Sequence, residues 1–236
     1  MTAILALAKV VAKREYAEDL LSGRLFMNTL AYFVAYPEEP MILRSDSFEG
    51  LAAWYRATEI EVTFNGISIP SPDIGAPVAI QYDSVLGKNA YCLYSLNSRG
   101  HEQVSSESLK DLKRKLEIPS DCFGFGDYCV VIHKPLAFID RCCASIKKAG
   151  LSGRLGLVDY FDELTFHGLL PAERQGLIKR RAFENQREYR VIVDTRRDPP
   201  GPFTLDVGNL SDIAIVTTPG DFNRCLTLQL PDGSRA

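Results

Sequence analysis

The dipeptide Asn65-Gly66, set between "EIEVTF" and "ISI", constrains this chain more than any other short feature. A two-residue hairpin turn needs positive φ at both central positions, which Asn-Gly adopts at low cost, so the flanking β-formers are expected to pair antiparallel. Other runs read as strands: "AILALAKVV", "RLFMN", "NAYCLYSL", "DYCVVIH", "RLGLVDYF", "REYRVIVD", "DIAIVTT" and "CLTLQL". Helices are fewer. "REYAEDLLSG" ends at Gly23, "TLAYFVAY" is a helix or turn broken by Pro37 and Pro40, and "SESLKDLKRKLEI" has Ser106 or Ser108 as cap. "KPLAFIDRCCASIKKAG" carries Pro135 in its first turn, an apolar stripe of Leu136, Ile139, Cys143 and Ile146, and Gly150 at its end. "LRSDSFEG" reads as loop, with Asp46 and Glu49 as caps for a following helix.

Strands outnumber helices and do not alternate with them. The expected class is α+β with mostly antiparallel, split sheets and a few peripheral helices, in one domain over 1–236. Hydrophobic residues at 46% and charged residues at 24% exclude a disordered chain, and a net charge of -3 gives no global pull toward nucleic acid. No run approaches the roughly 20 apolar residues of a membrane helix, so no membrane association is expected. The N-terminal apolar run is interrupted by Lys9 and lacks a basic leader. The six cysteines form no C-x-x-C pair, which reads as reduced thiols in the cytoplasm.

Several chemistries lack a motif. There is no G-x-x-x-x-G-K-[ST], "GFGDYC" leads into a strand and not a helix, and no G-x-S-x-G is present. The three histidines lie far apart without H-E-x-x-H, so no metal site is expected. What remains is "FENQREYRVIV", in which Glu184, Gln186, Glu188 and Arg190 recur every second residue. On a strand these share one face, which is either a solvated charged face or part of a catalytic surface. Lys179, Arg180, Arg181, Arg187 and Arg190, with Phe183 and Tyr189 interleaved, form a basic cluster around it. That cluster is either a solvated face or a phosphate-contacting surface.

Gln186-x-Glu188 opening a strand resembles the closing motif of the ADP-ribosyltransferase superfamily. "ILALAKVVAKREYAEDLLSGRLFMNTLAYF" is similar to the opening of its bacterial toxin-like members, and "YCLYSLNS" to their middle strand. The chain resembles more closely a bacterial and phage group with "LYMNTLxYF", "YCLYS" and "FxNQxEYR" segments, which brings no established activity with it. The superfamily resemblance implies an ADP-ribosyltransferase-like fold, NAD as substrate, and a macromolecular acceptor (protein or nucleic acid), in a toxin or phage-defence role. It implies Glu188 as the carboxylate beside the ribose and Gln186 as the group orienting the acceptor. Lys9, Asn28, Tyr32, Ser95 and Arg190 would then bind the dinucleotide, with Tyr32 stacking on the departing ring. Where such members place arginine or histidine on the first strand this chain has Lys9, and for Ser-Thr-Ser it has Tyr94-Ser95-Leu96. Each residue also has an ordinary reading: Lys9 as a strand-end lysine, Tyr32, Phe33 and Tyr36 as core or rim aromatics, Ser95 as a plain strand serine. The competing function is a non-enzymatic nucleic-acid or protein binding module using the Lys179–Arg190 surface.

Overall fold

The computed structural model describes residues 2–35, 46–101, 103–231, 233 and 235–236. Tyr36, Pro37, Pro40 and the first residues of the expected 43–50 loop lie outside them. In chain order the elements are β1 (Ile4–Val11), α1 (Arg14–Leu21), β2 (Arg24–Thr29), α2 (Leu30–Ala35), β3 (Leu51–Tyr55), β4 (Val62–Phe64), β5 (Ile67–Ile69) and β6 (Val78–Gln81). There follow α3 (Asp83–Leu86), β7 (Asn89–Asn97), α4 (Leu109–Leu116), β8 (Tyr128–Ile132), α5 (Pro135–Lys148), β9 (Ser152–Leu157), β10 (Asp159–Phe161) and β11 (Gly168–Leu169). The last are β12 (Ile178–Arg180), β13 (Glu188–Asp194), β14 (Phe203–Asp206), β15 (Ala214–Thr217) and α6 (Pro219–Cys225). The class is α+β, 31% helix and 33% strand, with mostly antiparallel sheets.

The central sheet runs β14-β2-β7-β1-β8-β15, and β13 joins β7 to β9. One face is the main apolar core. There Leu7, Met27, Tyr91, Leu93, Tyr189, Val191 and Val193 pack against Ala17 and Leu20 of α1 and against Phe138, Cys142 and Ile146 of α5. The opposite face carries two smaller apolar clusters. One gathers Ala8, Tyr94, Leu96 and Val131 under Leu112 and Leu116 of α4; the other gathers Leu30, Val85, Ala90, Leu177 and Ile192. The ground between these two clusters holds the candidate site.

Local chemistry accounts for the elements that were read correctly. Asn65 (φ 50°) and Gly66 (φ 80°) turn the β4–β5 hairpin. Gly23 ends α1 at φ +89°, where an added Cβ would lie 2.0 Å from the Gly208 carbonyl oxygen, so β2 starts against the 207–208 segment without room for a side chain.

Several expectations are corrected. The buried stripe of α5 is Phe138, Cys142 and Ile146, an i, i+4, i+8 ladder; Leu136 is 72% exposed and Cys143 is exposed. Ser108 precedes α4, but its hydroxyl exchanges hydrogen bonds with Ser105 and caps nothing. "RLGLVDYF" breaks at Val158 because β9 pairs with β13 whereas β10 pairs parallel with β12. "CLTLQL" is not a strand: Cys225 ends α6 and, among the described residues, an isolated bridge from Gln229 to Arg235 is the only pairing that follows. No helix follows Asp46 and Glu49; the chain enters β3, which pairs with β6, two strands that carry no turn signal of their own. Among the described residues no helix is long and apolar enough to cross a membrane.

Candidate active site

A strand has two edges, and those of β7 are used unequally. One edge pairs with β13 continuously, from Asn89↔Val193 to Tyr94↔Glu188. The other is shared: β1 takes Tyr94 to Asn97, and β2 takes only Asn89 and Ala90. Beyond Ala8, β1 turns away toward β8, so Tyr91, Cys92 and Leu93 face a gap where β1 and β2 diverge. Lys9 reaches into this gap. Its Nζ donates to the Cys92 carbonyl at 2.7 Å and sits 4.8 Å from the centre of the Tyr91 ring. A cavity of about 370 Å³ opens here, within the range usual for small-molecule sites.

Lys9, Asn28, Tyr32, Gln186, Glu188 and Arg190 all line this cavity. Of the seven site residues that the resemblance implies, only Ser95 is elsewhere. Side chains alternate along β7, so if Tyr94 faces the cavity, Ser95 points to the other side. It is fully buried opposite Leu7, and its hydroxyl accepts from Asn97 Nδ2 at 3.2 Å. Gln186 also differs from expectation. Residues 181–186 form a 3-10 turn, Arg187 is left-handed (φ 41°), and the strand begins only at Glu188. Four polar residues therefore do not share one strand face: Glu184 is exposed, and Gln186 arrives at the cavity from the turn.

Nor is the 188–190 stretch a solvated face. Glu188 is 6% exposed and Arg190 1%. They belong to a buried ionic quartet with Glu49 and Lys179. Arg190 Nε donates to Glu188 Oε2 at 2.7 Å, and its two Nη atoms grip both Glu49 oxygens at 2.7 Å each. Lys179 Nζ donates to Glu188 Oε1 and to Gln186 Oε1, both at 2.7 Å, and lies 3.2 Å from Glu49. A Phe183 ring centred 4.7 Å from Nζ covers the amine. Two carboxylates face two cations, so the quartet is neutral, as burial requires.

Its electrostatics follow from that pairing. Burial pushes the Glu188 carboxyl upward, but the charges of Arg190 and Lys179, with their direct hydrogen bonds, outweigh it and hold the group well below the usual carboxylate range. Burial works against the Lys179 ammonium too, and Glu188 and Glu49 more than restore it. Cys92, opposite Arg190 in the ladder, is different: burial pushes its thiol up to about 12, which favours the protonated form at neutral pH. Tyr160 accepts the Glu188 backbone N–H at 2.8 Å and fixes the start of β13.

The expected basic surface is not assembled. Lys179 (3% exposed) and Arg190 lie inside. Arg180 pairs with buried Asp46, and Arg181 with Asp162. Two site residues escaped the sequence reading. Glu49 is read as a helix cap yet clamps Arg190 from 141 positions away, and Lys179 is read as surface charge. The only sequence signal for them is indirect: an internal carboxylate and guanidinium each need a partner of opposite charge. Among the described residues no group of three or more His, Cys, Asp or Glu side chains is placed to hold a metal ion. No model of a known protein family, no curated protein and no solved structure matches the chain.

Proposed function

We propose that this chain is an NAD-dependent ADP-ribosyltransferase-like enzyme modifying a macromolecule, in a toxin or phage-defence role. In this reading the divergence of β1 and β2 along β7 is the nicotinamide-binding split of an ADP-ribosyltransferase-like fold. One observation carries it: Lys9, Asn28, Tyr32, Gln186 and Glu188, drawn from three distant segments, converge on one cavity at that split.

The chemistry asks for a carboxylate that stays ionised. As the bond between ribose C1′ and the nicotinamide nitrogen breaks, its electron pair leaves with the ring and positive charge develops on the ribose. Glu188, held anionic by Lys179 and Arg190, stabilises that charge and accepts a ribose hydroxyl. Each carboxylate oxygen has a second lone-pair site, so accepting the hydroxyl does not require either ion pair to break. Its depressed basicity rules against a general-base role. Arg190 uses four of its five N–H donors on Glu49, Glu188 and the Gly176 carbonyl, so its part is to position Glu188. The nicotinamide riboside end fits the cavity beside Asn28 and Tyr32, and the half-exposed rings of Tyr16 and Phe26 at its wall suit the remainder of the dinucleotide. Ser95 takes no part.

The test uses labelled NAD and a bacterial lysate. Wild-type protein is expected to release nicotinamide and to label a macromolecule, with Glu188→Gln slower by a hundredfold or more while its thermal melt shows a folded protein. A wild type that neither releases nicotinamide nor transfers label overturns the reading.

A further inference from the structure

Glu188 and Tyr94 belong to two cavities. The second, about 700 Å³, lies between the C-terminal end of α4, the 97–99 segment, residues 157–160 and the 184–187 turn. Neither Lys179 nor Arg190 reaches it, and the first cavity's Asn28 and Tyr32 are absent from its wall. The two linings share only Tyr94 and Glu188, so a group seated in the second cavity borders the first at these two residues.

Its wall has a distinct chemistry. Arg99, Arg114, Lys115 and Arg187 line it. Arg187 donates to the carbonyl oxygens of Lys115 (2.7 Å) and Asn97 (2.8 Å) and to Asn97 Oδ1, neutral acceptors that hold the guanidinium without cancelling its charge. Arg99 shares the single carboxylate of Asp159 with Arg174, so one positive charge of that trio is unbalanced. Arg114 is bonded to Asp111 on the exposed side of α4. Glu117 and Glu184 also line the cavity; Glu184 lies 3.8 Å from Arg181, which it shares with Asp162, and Glu188 is neutralised from inside by the quartet. Phe123 on the same wall is 39% exposed. Cations interleaved with an exposed ring in a concavity match the requirements of a phosphodiester strand, charges for the phosphates and a ring face for a base.

We infer that the second cavity seats a single-stranded nucleic acid, and that a base or terminal phosphate of that strand is the acceptor. The acceptor role rests on the function proposed above; the binding does not. In the transfer, an acceptor nitrogen or oxygen forms its bond to ribose C1′ as the C1′–nicotinamide bond breaks. Nicotinamide departs with the electron pair; a base nitrogen gives its proton to water, whereas a phosphate oxygen attacks already ionised and releases none.

The experiment measures fluorescence anisotropy of a labelled single strand of about 12 nucleotides, within the span of ordinary single-strand sites, on the full chain at increasing salt. Arg114→Glu/Lys115→Glu is expected to weaken binding tenfold or more and to flatten the salt dependence by roughly one unit or more of log–log slope. Phe123→Ala is expected to weaken it about fivefold. Lys147→Glu/Lys148→Glu on α5, an equal charge change on exposed residues outside the cavity, should leave binding unchanged. Absent wild-type binding, or equal loss in the α5 control, overturns the inference. With labelled NAD, transfer to the strand supports the acceptor role, and label found only on protein overturns it. Strand binding without any nicotinamide release supports the cavity assignment and fails the enzymatic reading instead, so the two are separable.

Discussion

The two faces of β13 are equally dry and differently made. Tyr189, Val191 and Val193 point into the main core at 0–3% exposure, and Glu188 and Arg190 point the other way at 6% and 1%. The first face excludes water with hydrocarbon, which stabilises the fold in proportion to area removed from solvent. The second excludes water with charges, whose desolvation their mutual attraction only roughly offsets. Well-packed apolar residues on that second face would serve stability as well or better. A charged quartet fixed there at 2.7 Å, with one carboxylate on a cavity wall, costs the fold something and gives the site a permanently ionised group.

The sharpest way to break this contrast is to remove one cation. Arg190→Met leaves Glu49 and Glu188 buried with only Lys179 between them, and a loss of about 3–5 kcal/mol in urea unfolding is expected. Adding Glu49→Gln to Arg190→Met should cost less than the two single effects summed, because the pair shares one interaction. If Arg190→Met unfolds at the same urea concentration as wild type, the quartet is not a coupled unit and the ionic face has been misread.

On the other face, Val191→Ala deletes two methylene equivalents from a fully buried position. It is expected to cost about 2 kcal/mol, transfer and residual cavity together. The Val191 side chain lies in the main core, on the face of β13 opposite the quartet, so nicotinamide release measured well below the melting temperature should stay near wild type. A Val191→Ala protein that keeps its stability but loses turnover would show that the apolar face shapes the cavity as well.

What was legible in the sequence follows from how far each signal reaches. The β4–β5 turn and the end of α1 at Gly23 are local and were readable, whereas the Gln186-x-Glu188 spacing does not show that Gln186 sits in a 3-10 turn ahead of the strand. Period-two polarity was readable too, but it cannot distinguish a wet face from an ionic interior: Glu188 and Arg190 look the same in either case. The deciding partner, Glu49, is 141 residues away in the loop before β3 and has no local mark. Sequence periodicity assigns faces and not neighbours, so the sharing of one β7 edge by β1 and β2, from which the cavity arises, was beyond it. Ser95 is the instructive miss. Strand alternation alone places it opposite in direction to Tyr94, so a β7 that presents Tyr94 to the site buries Ser95 in the core.

The smallest expected effect concerns acid, and it isolates Glu188 from its neighbours. Its folded pKa lies below the ordinary glutamate value of about 4.3. In acid the unfolded chain therefore takes up the proton first. The stabilisation is complete above that ordinary value and is lost as pH falls toward the depressed one. Asp46 has the opposite sign. Burial and the nearby Glu49 raise it despite Lys179 and Arg180, so its ionised form is penalised in the fold, and protonation on acidification returns stability. Wild type sums these two with Asp212, whose carboxyl the Arg141 guanidinium holds low. Glu188→Gln removes the first, so below about pH 4.3 its stability should decline less steeply than wild type, by about one proton's worth, roughly 1.4 kcal/mol per pH unit. Equilibrium unfolding of both proteins across about pH 2.5–6, the range in which the unfolded chain's carboxyls take up protons, measures this. Parallel profiles would mean that Glu188 titrates as an ordinary glutamate, and that the two cations beside it do not hold it charged.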